Sequence, residues 1–255
     1  MRRDALRRYS GATGTGWIDG GSQALPEAMA ASLANAPLLG AQVISVESRR
    51  RGIEVRCADG RRFRAAHMVF AIPSGPLSRI AIDPAPPAAQ RDVWAARRSN
   101  ALTTIHLRPT RKFWEEDGLP LPIWGDHPLQ RVFAVPGADG EINRIAVWLN
   151  GAAAEQADKL DHDARLAWAI AAMERLRPAS KGALKPLETR SWGNDPMADG
   201  AFSEIAPGRF ADTLTWGDKA LGRIHFAGEH IALDMSGLEA AVVSGERAAA
   251  SILNA

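Results

Sequence analysis

The stretch at residues 223–253, RIHFAGEHIALDMSGLEAAVVSGERAAASIL, constrains the fold more than any other part of the chain. Residues 223–227 read as a short apolar strand. Gly228 ends it, and a residue without a side chain lets another group approach the backbone closely. Glu229 stands at the strand end, and a short loop delivers Ser236 and Gly237 to a helix start, with Leu238 and Glu239 next. Ala240, Ala241, Ala248 and Ala249 give that helix positions small enough to lie tightly on a sheet. A helix N-terminus presents unpaired N–H groups and a partial positive charge, so it suits a phosphate or an anionic ring edge. An ordinary strand–loop–helix closing a domain satisfies the same physics, and the residues alone leave both readings open.

Upstream, residues 25–33 favour a helix, with Pro26 at its first turn. Residues 42–46 and 52–56 read as strands, the second cleanly alternating. Asp59-Gly60 is a hairpin turn leading to a third strand at 67–72, apolar on both faces like a buried central strand. A helix at 88–97 follows, then strand-like runs at 102–107, 131–135 and 144–149. Residues 161–176 form the clearest amphipathic helix, with Leu166, Ile170, Met173 and Leu176 at helical spacing and Pro178 ending it. Strands mixed with isolated helices, without strict βαβ repetition, predict an α/β fold of the mixed, α+β kind. Its sheet is expected to be mixed or antiparallel and to carry helices.

Composition narrows the function classes. Lys and Arg number 31 against 29 Asp and Glu, a net charge of +2, which gives no electrostatic footprint for nucleic acid. The Arg49–Arg51 and Arg61-Arg62 runs flank the hairpin and read as solvated faces. No apolar stretch reaches the roughly 20 residues of a membrane span, and Arg2, Arg3, Arg7 and Arg8 are not followed by the apolar run of a secretory signal. With Cys57 as the single cysteine, the expected location is cytoplasmic. The six histidines lack metal-ligand spacing, so no metal site is expected. Gly11, Gly14 and Gly16 lie between an Arg-rich stretch and Trp17-Ile18, not between a buried strand and a helix, and do not make a dinucleotide fingerprint. Eight tryptophans stand beside a single tyrosine and read mainly as packing.

Several segments precede the closing stretch in a definite order. They are Asp19-Gly20-Gly21-Ser22 with Leu25-Pro26, Val43 on a strand, Phe70-Ala71-Ile72-Pro73 running to Ile82-Asp83-Pro84, and Lys112-Phe113-Trp114. Ser191-Trp192 with Asp195-Pro196, Gly200-Ala201-Phe202-Ser203 and Pro207-Gly208 follow. Over nearly the whole chain this order resembles the flavin-containing amine oxidases, a family including monoamine, polyamine and L-amino-acid oxidases.

The resemblance implies FAD as cofactor and oxidation of an amine or L-amino acid at the C–N bond by hydride transfer to flavin. It implies an incomplete Rossmann-like FAD-binding domain at 1–80, a substrate-binding domain at 81–190, and a C-terminal FAD-binding segment at 191–255. Val43, Trp192, Gly228, Glu229, Ser236, Gly237, Leu238, Glu239, Ala240 and Ala241 fall at cofactor-binding positions. Thr104 falls where the family carries a lysine near the flavin, and Phe202 and Gly237 fall where monoamine oxidases carry two tyrosines. His106, on the same strand face as Thr104, reads as a structural histidine. The family's strand–GxGxxG–helix is expected from elsewhere: a second polypeptide, another piece of a split or processed enzyme, or a part lost by truncation. A homo- or hetero-oligomer is compatible with this. A non-catalytic remnant or interaction module, and a related flavin desaturase or isomerase, are the alternatives.

Overall fold

Turn chemistry and alternation build the first sheet. The computed structural model describes residues 18, 20–137, 139–232 and 237–254, apart from the side chain of Arg98. Gly11, Gly14, Gly16, Trp17, Asp19 and Ser236, all singled out in the sequence, lie outside the described residues. The chain divides into one unit of residues 1–71, 79–91 and 214–255 and another of residues 72–78 and 92–213.

The first unit contains β1 (Val43–Arg49), β2 (Gly52–Cys57), β3 (Arg62–Ala65), β4 (Met68–Phe70) and β5 (Ala81–Asp83). Four of these form a sheet in the order β3-β2-β1-β5, with β1 and β5 parallel and the rest antiparallel. Val46, Ile53 and Cys57 are buried on it, as the alternation predicts. The exposed arginines pair locally: Arg64 Nε donates to Glu54 Oε2 at 3.0 Å and Arg61 Nε to Asp59 Oδ2 at 2.6 Å. The arginine nearest Glu54 holds its carboxyl below the usual carboxylate range.

The second unit contains β6 (Arg97–Ser99), β7 (Leu102–Pro109), β8 (Ile123–Trp124), β9 (Arg131–Pro136), β10 (Ile142–Asn150), β11 (Leu184–Ser191) and β12 (Ser203–Ile205). Five form an antiparallel sheet in the order β11-β7-β10-β9-β8, and β12 pairs with β6. One sheet face packs against helix His162–Leu176 through Ile105, Leu107, Ile145, Val147, Leu149, Leu166, Ala169 and Met173. Each buried Leu, Ile, Val or Met there contributes about 1.5–3 kcal/mol. Asp161 caps the helix, its Oδ1 accepting from the Ala164 amide at 2.8 Å.

Two expectations change. Leu176 is 38 % exposed, and the buried stripe follows Arg165, Leu166, Ala169, Ala172 and Met173. Just past the helix end it is Arg177 that turns inward, where Asp117 Oδ2 and the Pro120 carbonyl accept from it at 3.0 and 2.8 Å. The apolar run at 67–72 yields only the three residues of β4, with Val69 exposed. Its partner is β13 (Ile224–Phe226), which returns the chain to the first unit and runs parallel to β4. Helix Gly237–Leu253 completes that unit. Among the described residues no helix is long and apolar enough to cross a membrane.

Candidate functional site

In the first unit, β13 lies beside β4 with Phe226 stacked on Phe70 at 5.9 Å. At its end Gly228 has φ 134°, and a Cβ there would drive into the His230 ring. The Gly228 amide donates to Ser244 Oγ at 2.7 Å, and that hydroxyl donates to the Ala241 carbonyl at 2.8 Å. One serine thus pins the strand end to helix Gly237–Leu253. Ala240, Ser244 and Ala248 are the buried stripe of the helix, while Ala241 is half-buried and Ala249 exposed. Glu229, half-buried, opens a single 3-10 turn, Glu229–Ile231.

Gly237 has φ 75°, and a Cβ on it would meet nothing within 4 Å. Leu238 and Glu239 are exposed beside it. Among the described residues, then, the first turn of this helix borders open space. The backbone also accounts for glycine at position 237, because an L side chain is strained at that angle. Val43 begins β1 opposite Cys57, half-buried, at an irregularity between Val43 and Ser45.

In the second unit, the sheet face away from helix His162–Leu176 carries a continuous row. Trp124 stands opposite Arg131, Arg131 opposite Trp148, Trp148 opposite Thr104, and Thr104 opposite Arg190. Directly opposed residues on neighbouring strands project from the same face, so these five form one line across the sheet. Thr104, between Trp148 and Arg190 in the row, is 9 % exposed, and its hydroxyl has no hydrogen-bond partner among the described residues. Arg190 pairs with Asp195 and lies over the Trp192 ring, 5.2 Å from its centroid. The Met197 amide and then Arg190 hold the Asp195 carboxyl below the usual range. Trp192 is partly exposed, and its carbonyl accepts from Gly200 at 2.8 Å. Phe202, also partly exposed, precedes β12 and its carbonyl accepts from Asn100 at 2.8 Å. His106 shares the Thr104 face, and burial followed by the charge of Arg144 pushes it below the usual histidine range.

Behind the row, Asp158 locks β7 to β11. Its Oδ1 accepts from Thr103 Oγ1 at 2.6 Å and its Oδ2 from Ser191 Oγ at 2.7 Å, with Arg165 at 3.6 Å. The arrangement offers a half-polar, aromatic-walled surface with cations on both sides of the Thr104 hydroxyl. Arg131, Trp148, Arg190 and Asp158 were not singled out by the sequence. The alternation of 144–149 was the available signal for Trp148, but cross-strand register is not written in any one strand.

The model of the family described as flavin containing amine oxidoreductase matches residues 3–253. The chain belongs to this family. An L-amino-acid oxidase of Mus musculus is 32 % identical over 93 % of the chain and 39 % of that protein. An L-amino-acid oxidase of Demansia vestigiata is 26 % identical over 92 % of the chain and 47 % of that protein. The chain therefore spans less than half the length of these relatives. A solved triple mutant of putrescine oxidase has a TM-score of 0.80 at 24 % identity, covering 92 % of this chain and 53 % of that one, and shows the same mixed α/β fold.

For a flavin-containing amine oxidoreductase the implied cofactor is FAD. The residues present fit it. The Cβ position of Gly237 faces open space, the helix turn behind it is exposed, and the Gly228 strand end is held by Ser244. The described groups of this segment that would hold it are Glu229, Gly237, Leu238 and Glu239. The Gly228 amide is already committed to Ser244.

Proposed function

We propose that the chain forms part of an FAD-dependent oxidase acting on amines or amino acids at the C–N bond. The observation that carries this reading is the unpartnered Thr104 hydroxyl within an aromatic and cationic row, in a chain of this family. FAD, when bound, supplies the acceptor for the hydride leaving the carbon next to nitrogen. The chain's own residues orient and desolvate. Trp148, Trp192 and Phe202 supply apolar walls against which an amine's carbon chain packs. Thr104 offers a neutral hydroxyl that accepts from an amine N–H or holds a water, without the charge of a lysine.

The remainder of the FAD site is proposed to come from a strand–GxGxxG–helix on a second polypeptide. The chain spans 39 % and 47 % of the length of these two relatives. A second reading, a flavin protein without amine-oxidising activity, is favoured by the one residue Thr104, which brings no positive charge to its position.

The experiment is an anaerobic mix of the flavin-loaded protein, with that polypeptide present, against small amines and L-amino acids. Bleaching of the flavin absorbance, followed by peroxide when air is admitted, is the expected outcome. Flavin that stays bound and oxidised with every amine tried contradicts oxidation and leaves the second reading.

A further inference from the structure

A cavity of about 510 Å³ lies in the second unit beside the β8–β9 connection, lined by Trp124, Asp126, Gln130, Arg131 and Asn150 among others. Arg165, Arg177 and Arg190 each have a carboxylate in reach, on Asp158, Asp117 and Asp195. Half-buried Arg131 has neither a hydrogen bond nor an ion pair from its guanidinium among the described residues. It lies instead over the exposed Trp124 ring, 4.2 Å from the centroid. Stacking holds the guanidinium plane while leaving its edge N–H groups unused. The backbone beneath is fixed as well. Gln130 sits at φ 50°, and its Oε1 accepts from the Asn150 amide at 2.8 Å.

We infer that this cavity is a binding site for the carboxylate of a substrate whose carboxylate is remote from its reacting C–N bond. A planar, preorganised fork matches a carboxylate edge to edge. Asp126 lines the same cavity and makes no ion pair with Arg131 among the described residues, and one cation beside one carboxylate suits a monoanion better than a phosphate dianion. The remoteness follows from the register. Arg131 on β9 is separated from Thr104 on β7 by β10, and two strand spacings amount to about 9–10 Å. An α-carboxylate, one bond from the reacting carbon, does not span that interval, whereas the carboxylate of an ω-amino acid does. This step rests on Thr104 marking the reacting end, as in the function proposed above.

Calorimetric titration of the whole chain tests the inference with three probes: 6-aminohexanoate, its isomer norleucine with the carboxylate on the amine-bearing carbon, and hexylamine without a carboxylate. The expected result is saturable binding of 6-aminohexanoate, with norleucine and hexylamine weaker by roughly tenfold or more. Arg131→Gln is expected to remove that preference. Trp124→Leu, at an exposed position outside the core, is expected to weaken 6-aminohexanoate several-fold by freeing the guanidinium, and decides the matter if Arg131→Gln does not fold. No heat with any probe, equal binding of norleucine or hexylamine, or a folded variant that binds like the parent overturns the inference. Because no turnover is read, a failed oxidase assay and a failed carboxylate site give different results.

Discussion

Gly228 occupies a backbone angle that L side chains rarely adopt, and its missing Cβ is the space filled by the His230 ring. Two costs therefore add in Gly228→Ala, strain and a clash with a buried side chain. The substitution is expected to destabilise the first unit by about 1–3 kcal/mol in urea unfolding. Gly245 supplies the contrast. It lies inside helix Gly237–Leu253, and a Cβ on it would meet nothing within 4 Å. Gly245→Ala is expected to stabilise by about 0.5–1 kcal/mol, because alanine loses less backbone entropy in a helix. Equal effects of the two substitutions would contradict the assigned backbone angles. The sequence marked Gly228 correctly as a place of close approach, but the approaching group is the protein's own imidazole, two residues on. Nothing in a linear string distinguishes that from a ligand.

At the scale of elements, the parallel pair β4–β13 is stitched by histidines. His67 Nδ1 lies 3.2 Å from His225 Nε2, and Arg223 Nη1 lies 3.5 Å from His67 Nε2. With Arg223 donating to His67, the shared proton rests on His67 Nδ1 and His225 accepts it. Burial, and then the neighbouring His67, push His225 below the usual histidine range. At His225 the folded chain thus binds fewer protons than the unfolded chain just below about pH 6.5. Stability is then full above that pH and falls as the solution is acidified towards the folded pKa. The urea midpoint is expected to drop from pH 7 to pH 5.5, and His225→Gln to flatten that slope; an unchanged slope would contradict the assignment. The element that follows β4 in space was not readable from residues 67–72, since its partner lies far along the chain. The turn of hairpin β2–β3 was readable at Asp59-Gly60, but its returning strand is Arg62–Ala65 and not the 67–72 run; helix His162–Leu176 was readable from its apolar spacing. The row from Trp124 to Arg190 was not. Four separate strand registers create it, and each is set by packing against the buried face, where Ile105, Val147 and Leu149 are fully covered.

For the molecule as a whole, Gly228 and Gly237 and the Thr104 row belong to different units, residues 214–255 to one and 92–213 to the other. Local patterns identified the strand–loop–helix of the first and the amphipathic helix of the second. The order of motifs along the chain, not any single motif, carried the likeness to a flavin family that the match over residues 3–253 establishes. The central claim is that this chain takes part in holding FAD, and the most direct measurement is a visible absorption spectrum after gel filtration with added FAD. It is recorded for the chain alone and with a polypeptide supplying the strand–GxGxxG–helix. Flavin absorbance that co-elutes with the chain when that polypeptide is present, and is weakened by Glu229→Ala, is the predicted result. A colourless chain in both samples would contradict it.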